Sequence, residues 1–250
     1  MTRMTISTEG PKNFFGELYL RSTRPFLADA VSDAEAAFLE ARLREGDASG
    51  LVLDFGCGHG RHLSRLTQRL PGRVVGIDFD RLSLREAQTS APVARGDFFR
   101  LPFRDDALGA AYCWYNTLGT FSDDAVPVAL AELARCVRPG GWFMVHGTPP
   151  HAATWQPEAS YDAVLPDGSR LVENVRFDES TFRDTLEREL HLPDGRFMAA
   201  SFFIRYYGVS EWEALLDAAG FSVRWVHGGV DGSALSDASL DQIVGAQKRG

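Results

Sequence analysis

The sequence predicts an α/β fold: a mostly parallel sheet with helices on both faces, joined by a small antiparallel β cap. Three observations carry this. Short apolar runs alternate with amphipathic helix-length stretches over residues 50–146, which is the rhythm of a parallel sheet with helical crossovers. The first run, Leu51 to Phe55, opens into a turn with three glycines, Gly56, Gly58 and Gly60. Such a turn lets the backbone bend tightly and approach a ligand. From Ser169 the texture changes to three strand-like stretches, 170–177, 181–190 and 196–207, the last two joined at Pro193-Asp194-Gly195, a strong turn signal.

The elements follow in order. Residues 13–31 are rich in aromatic and apolar side chains. Ser32 then reads as an N-cap, with Glu35 completing a capping box and Phe38, Leu39 and Leu43 forming the apolar stripe of a helix. After the glycine turn, Leu63, Leu66 and Leu70 have helical spacing up to Pro71-Gly72. Val74 to Asp78 is a second buried strand, Leu82 to Gln88 a helix, and Pro92 to Asp97 a short third strand. Gly109 to Tyr115 is the fourth strand, and a helix over about 123–137 ends at Pro139-Gly140-Gly141 before the fifth strand, Trp142 to His146. Beyond the meander, Ser210 caps a helix with Trp212, Leu215 and Leu216 on one face, and Phe221 to Val226 and Gln242 to Gln247 are the last strands. This organisation is one domain over 1–250, in four parts: an N-terminal helical cap (1–49), a binding core (50–150), an antiparallel insertion over the substrate (151–208) and the C-terminal part of the core (209–250).

Composition narrows the function. The formal net charge is −8, whereas nucleic-acid binders carry a basic face to neutralise phosphates. Nucleic acid is therefore not an expected partner. The three cysteines, Cys57, Cys113 and Cys136, form no CxxC pair, so neither a disulfide framework nor a zinc cluster is expected, and a reducing cytoplasmic compartment fits. Residues 1–10 are polar, without the apolar stretch of a secretion signal. No apolar run approaches the ~18 residues that span a bilayer. The histidines show no metal-ligand spacing, and no metal is expected.

The chemistry lies at the strand ends. Glycine turns of this kind serve several nucleotide-containing ligands, so the glycines alone decide little. Asp54, directly before them, would repel a pyrophosphate but suits a cationic ligand group. Asp78 ends the next strand 24 residues after Asp54, where an acid accepts hydrogen bonds from ribose hydroxyls. Gly96-Asp97-Phe98 follows at the third strand end, where an acid accepts from an adenine amino group.

These segments resemble a known family. Leu53-Asp54-Phe55-Gly56-Cys57-Gly58-His59-Gly60 is similar to motif I of class I S-adenosylmethionine (SAM) dependent methyltransferases, and Gly76-Ile77-Asp78 to the acidic loop after it. Gly96-Asp97-Phe98, Arg138-Pro139-Gly140-Gly141 and, more weakly, Leu216 to Phe221 resemble later motifs. The resemblance implies a Rossmann-like mixed seven-stranded sheet with an antiparallel last strand, and SAM as cofactor. It implies that Asp54 and the backbone of Gly56, Cys57 and Gly58 hold the methionine end and Asp78 the ribose. Phe79 would line the adenine, and Asp97 and Phe98 would read its edge. Tyr115 and Asn116 would lie beside the sulfonium, with Tyr19 and Arg24 over the cofactor and Arg24 a carboxylate partner. His146 and Tyr115 are the catalytic candidates, His146 as a general base at a carboxyl strand end. Trp114, His151, Trp155, Arg205 and Tyr207 are candidates for the acceptor wall, since aromatics with a few polar handles suit such pockets.

Each assignment has a plainer alternative. The acids are otherwise ordinary loop carboxylates, Asn116 a turn residue, His146 a histidine bonded to a loop, and Tyr206 and Tyr207 cap core or a dimer contact. The implied activity is methylation of a nitrogen or oxygen of a small molecule by an enzyme that pairs, if at all, as a homodimer. Two rivals stand beside it: a SAM-binding scaffold for a non-methylating reaction or regulation, and a nicotinamide oxidoreductase, against which the acid before the glycines argues.

Overall fold

The computed structural model describes residues 14–46, 48–154 and 158–250. Its main sheet has seven strands in the order β10-β11-β5-β4-β1-β2-β3. These are β1 (Leu51–Phe55), β2 (Val74–Asp78), β3 (Val93–Arg95), β4 (Leu108–Cys113), β5 (Val137–Gly147), β10 (Phe221–His227) and β11 (Gln242–Lys248). Strands β1 to β5 pair in parallel and β11 runs antiparallel to both β5 and β10. The chain order reverses between β1 and β4, which flank each other at the middle of the sheet, and ligands of open α/β sheets bind at that switch.

Both faces of this sheet are covered. On one, Leu53, Phe55, Ile77, Cys113 and Phe143 pack against α5 (Ala125–Cys136) and α7 (Val209–Ala218) through Leu130, Leu133, Trp212 and Leu216. On the other, Val52, Val74, Tyr112 and Met144 pack against α2 (Asp29–Glu45), α3 (Leu63–Arg69) and α4 (Arg81–Ala87) through Leu39, Leu43, Leu66 and Leu84. Alternate residues of each strand enter different layers, as the pleat requires. The three free thiols, Cys57, Cys113 and Cys136, are all buried in these layers.

A second, antiparallel sheet has the order β6-β7-β8-β9. It contains β6 (Glu158–Val164), β7 (Arg170–Asp178), β8 (Arg183–His191) and β9 (Phe197–Arg205). The meander is thus four strands, not three. Strand β6 escapes sequence reading because Glu158 to Val164 is exposed on nearly every residue and so carries no alternation. The short helix α1 (Glu17–Ser22) is buried against this sheet, with Phe14 and Leu18 meeting Leu171, Leu186, Leu190 and Phe202. Helix α6 (Pro150–Ala153) leads from the core toward the cap.

The capping box at Ser32 is not formed. Helix α2 starts earlier, after Ala28, and Ser32 lies inside it with its hydroxyl donating to the Ala28 carbonyl at 3.3 Å. Glu35 is left free for another role, described below. The α7 cap is also displaced: Glu211 accepts from the Gly208 N–H at 2.9 Å, while Ser210 lies in the first turn.

Candidate active site

A cleft opens at the carboxyl ends of β1, β2 and β4, where the glycine turn, the segment before α1 and the turn after β4 meet. Its floor is the glycine turn. The N–H groups of Gly56 and Cys57 donate to the Ile77 carbonyl at 2.9 and 3.0 Å, which ties the turn to β2. Gly58 has φ +53, and no atom lies within 4 Å of where its side chain would begin. The turn there presents bare backbone to open space, which a ligand can approach and a side chain would block.

Asp54 is the most telling residue of the cleft. It is 2% exposed, and its Oδ2 and the neighbouring hydroxyl of Tyr112 are buried without a hydrogen-bond partner of normal geometry among the described residues. Burial pushes the Asp54 carboxyl up to about 7, against the lowering influence of Tyr112 and Arg61. A buried carboxylate oxygen without a partner is costly unless a donor reaches it. The amino group of a bound amino acid is such a donor, so Asp54 fits the methionine end of SAM.

Asp78 accepts from the Gly58 N–H at 2.8 Å and from the Asp80 N–H at 2.9 Å. Burial raises its carboxyl to about 6 despite those bonds. Phe79, Phe98 and Phe121 form an apolar wall, with Phe98 4.5 Å from Phe55 and 5.6 Å from Phe121 between ring centroids. Phe15 meets Phe79 edge-on at 5.5 Å and Tyr19 closes the same side. Burial pushes the Tyr19 hydroxyl up to about 12, so it stays protonated at neutral pH.

The cation facing the cleft is Arg61, not Arg24. Arg24 lies half-exposed in an ion pair with Glu86 at 2.6 Å, away from the cleft lining. Arg61 lines the cleft, pairs with Glu35 and lies over the Tyr115 ring at 5.7 Å. Glu35 also binds His62 Nε2 at 3.0 Å and the Trp114 Nε1–H at 3.0 Å. Burial pushes the Glu35 carboxyl up, but the hydrogen bonds of His62 and Arg61 outweigh it and hold the group down at about 2. His62 itself is lowered to about 4 by burial, so it is neutral and donates. A buried acid on α2 therefore fixes both a guanidinium in the cleft and the indole of Trp114. Sequence offers one signal for Arg61: it directly follows the third glycine.

His146 does not offer a free base. Its Nδ1 accepts from the Tyr115 N–H at 3.1 Å, so the proton sits on Nε2, which faces Asp241 Oδ1 at 3.1 Å. The ring stacks on Trp114 at 4.6 Å. Both nitrogens are engaged, and no lone pair is left for an acceptor's proton. His146 instead holds a turn of unusual backbone: Tyr115 and Asn116 have φ of 58 and 57, a region that side-chain-bearing residues seldom adopt. The His146 carbonyl also takes the Asn116 N–H at 3.2 Å. Consequently Tyr115 is pushed outward, 49% exposed on the cleft. Asn116 turns away from it, binding Thr148 through both ends of its amide.

Other sequence candidates lie apart from the cleft. Asp97 accepts from the Phe99 N–H at 2.9 Å and caps its own turn outside the lining. His151 faces the Ser239 carbonyl at 3.0 Å. Arg205 and Tyr207 anchor the cap rather than wall the cleft. The Arg205 guanidinium sits 4.7 Å over the Tyr207 ring and pairs with Glu211, and the Tyr207 hydroxyl donates to Asp123 at 3.1 Å. Trp114 does line the cleft. Trp155 lies outside the described residues. Among the described residues no group of three or more His, Cys, Asp or Glu is placed to hold a metal, and no helix is long and apolar enough to cross a membrane.

Comparison with known proteins decides what kind of enzyme this is. Residues 52–141 match the family description of a methyltransferase domain. The chain is 28% identical over 235 residues to a dTDP-3-amino-3,4,6-trideoxy-alpha-D-glucopyranose N,N-dimethyltransferase of Streptomyces venezuelae, covering 87% of this chain and 92% of that one. The chain carries a methyltransferase domain and is a SAM-dependent methyltransferase. The methyltransferase is also 29% identical over 219 residues to a dTDP-3-amino-3,6-dideoxy-alpha-D-glucopyranose N,N-dimethyltransferase of Streptomyces fradiae, covering 80% of this chain and 82% of that one. Its fold is shared with a sugar N-methyltransferase from a Streptoalloteichus species, at TM-score 0.72 and 21% identity over 100% of this chain and 99% of that one. A SAM-dependent methyltransferase of Clostridium acetobutylicum gives TM-score 0.77 at 12% identity, covering 93% and 97%. SAM is the cofactor, and a small molecule is the methyl acceptor.

Proposed function

We propose that the enzyme transfers the methyl group to the amino nitrogen of a sugar-like small molecule. One observation carries this reading. The match to the aminosugar dimethyltransferase of Streptomyces venezuelae spans 87% of the chain, too much to omit the β6–β9 cap, which the methyltransferase domain at 52–141 does not contain. The likeness thus includes the part that would cover the acceptor.

SAM brings a methyl group on a sulfonium, already activated for in-line displacement. What remains for the chain is alignment and exclusion of water. In this reading Asp54 takes the cofactor's amino group and Arg61, neutralised from behind by Glu35, its carboxylate. Asp78 takes the ribose hydroxyls in place of the Gly58 and Asp80 N–H groups, and Phe79 and Phe98 flank the adenine. Tyr19 and Phe15 close over it. Tyr115, thrust forward by its left-handed backbone and held by His146, forms the wall beside the sulfonium. The enzyme acts in the cytoplasm, without nucleic acid or membrane as partner, and the free edge of β6 is where a second copy would pair.

The test is a titration followed by an assay. The purified protein is titrated with SAM and, separately, with NADH. It is then incubated with SAM and a matched pair of nucleotide-linked sugars, one bearing a 3-amino and one a 3-hydroxyl group. SAM binding and methylation of the amine alone are expected. Methylation of the hydroxyl sugar alone overturns the nitrogen reading, and binding of NADH in place of SAM overturns the cofactor roles.

A further inference from the structure

Apart from the cleft, a groove open to solvent runs between α4 and the edge strand β3. It is lined by Arg81, Leu84, Arg85 and Gln88 on one side and by Val93 and Arg95 on the other. The spacing produces this lining. Positions 81, 85 and 88 share one helix face, and 93 and 95 share one side of a strand. Leu84 is buried with Val93 packed beside it, and the arginines and Gln88 stand exposed around that apolar floor. Helix α4 returns from the carboxyl end of β2 to the start of β3, so it runs antiparallel to both. Arg81 therefore stands level with Arg95, and Gln88 lies toward Val93.

These arginines differ from others nearby. Arg24, Arg61 and Arg65 each pair with an acid. Arg81, Arg85 and Arg95 have no ion pair among the described residues. The one acid of α4, Glu86, is taken by Arg24 at 2.6 Å. Like charges four residues apart on a helix oppose its stability, and Arg95 adds a third. A chain of net charge −8 thus keeps a local cluster of unneutralised guanidiniums. Each guanidinium presents a fork that matches phosphate oxygens. Three forks spread along a groove exceed what one carboxylate satisfies. A diphosphate, with its charge divided over two tetrahedral groups, matches them.

Arg95 also reaches the cofactor cleft. It stands opposite Asp78 in the β2–β3 register, and its Nε–H donates to the Phe79 carbonyl at 2.9 Å. That is its one side-chain hydrogen bond among the described residues, so both terminal nitrogens are left for the groove. Asp78 and Phe79 line the cleft. One side chain therefore touches both places, and an anion that fixes its terminal nitrogens also fixes its hold on the loop after β2.

We propose that the α4–β3 groove binds a diphosphate group and that its occupancy steadies the cofactor loop through Arg95. The proposal goes beyond the nitrogen reading and does not depend on it. The coupling is reciprocal: the diphosphate raises SAM affinity by the factor by which SAM raises affinity for the diphosphate.

Inorganic pyrophosphate and, separately, dTDP are titrated by calorimetry into the protein with and without SAM. Wild type is compared with the double variant Arg81→Gln, Arg85→Gln and with Arg95→Gln, all at exposed positions. The expected result is binding by wild type, weakened about 10-fold or more in the double variant, the scale of hydrogen bonds to a charged group. Saturating anion raises SAM affinity about fivefold, at the low end of measured couplings, and Arg95→Gln loses that rise. Without anion, the double variant binds SAM as wild type does. Equal binding of the two probes means that the diphosphate alone is read. Tighter or exclusive binding of dTDP means that Gln88 and the apolar floor read the nucleoside as well, and either result supports the site. Failure of both probes to bind overturns the proposal. Binding undiminished in the double variant overturns it too, and competition with SAM would then put the anion on Arg61 in the cleft. Binding that leaves SAM affinity unchanged overturns the link through Arg95.

Discussion

The two sheets of this enzyme keep their chemistry in different places. The seven-stranded sheet is sealed on both faces, and β4 is buried at every residue. Its polar groups can emerge only where strands end, and Asp54, Asp78 and Tyr115 all stand at or beside the carboxyl ends of β1, β2 and β4. The four-stranded sheet buries one face and wets the other, as the alternating burial of β7 and β8 records. Its inward polar groups sit on alternate residues of strands joined by short turns. A site at strand ends is marked in sequence by the boundary between an apolar run and a loop; a polar group on a sheet face carries no such mark. The first kind suits a cofactor common to many enzymes, the second an acceptor that differs among them.

That division predicts a ranking of effects. The largest effect on cofactor affinity belongs to Asp54→Asn, which should weaken SAM about 100-fold by calorimetry, the upper range for a hydrogen bond to a charged group. The same change should raise the thermal midpoint at pH 8. The folded carboxyl is raised from 3.8 to about 7, so the folded state holds the extra proton between those values. Stability is lost as pH rises through that window, and above it the charged carboxylate opposes folding in full. Thermal melts should show the gain of Asp54→Asn fading as pH falls toward 4. A midpoint that does not rise at pH 8 would mean that Asp54 already has a partner in the free enzyme.

Glu35→Ala comes next, because it leaves Arg61 and His62 buried without their acid. Removing one member of a buried pair costs about 3–5 kcal/mol, measurable by urea unfolding, and SAM affinity should fall with the loss of Arg61's position. Gly119→Ala pushes the turn after β4 against the Arg205 carbonyl. It should cost about 1–3 kcal/mol, as overpacking does, and depress acceptor turnover while SAM binding persists. If SAM binding falls equally, the two sheets do not act separately. His146→Asn should lower kcat only severalfold and leave its pH profile in place, since the histidine has no free nitrogen; loss of a titrating limb would restore it as a base. Smallest is Arg24→Ala, where an exposed ion pair is worth about 0–1 kcal/mol and SAM affinity should stay within about twofold.

Sequence reading follows the same division. Strands β1 and β2 are legible to the residue, because buried apolar runs bounded by glycine or an acid leave no other register. That Asp54 and Asp78 line the cleft is legible because each is placed by its position relative to that run. Glu35 is misread as a helix cap: its partners Arg61, His62 and Trp114 are 26, 27 and 79 residues away in sequence, and no local pattern announces such a pair. Arg24 pairs with Glu86 while Arg61 lines the cleft, and segment composition cannot say which arginine points inward. The sequence puts His146 at a carboxyl strand end, but which ring nitrogen is engaged is set by a backbone N–H that only the fold supplies. In the cap, β7 to β9 show alternation and β6 shows none, and Asp184 is one acid among many until Tyr206 is seen beside it.

The buried cysteines give the enzyme a set of internal clocks. All three thiols are pushed up by burial, Cys136 to about 11 and Cys57 and Cys113 further, so at neutral pH an alkylating reagent finds neither access nor thiolate. Modification can then proceed only when the surrounding structure opens, and its rate counts openings at three separate places: the glycine turn, the central strand and the end of α5. A cofactor seated on the turn should slow the Cys57 clock before the other two, which makes residue-resolved alkylation a way to watch occupancy without following the reaction.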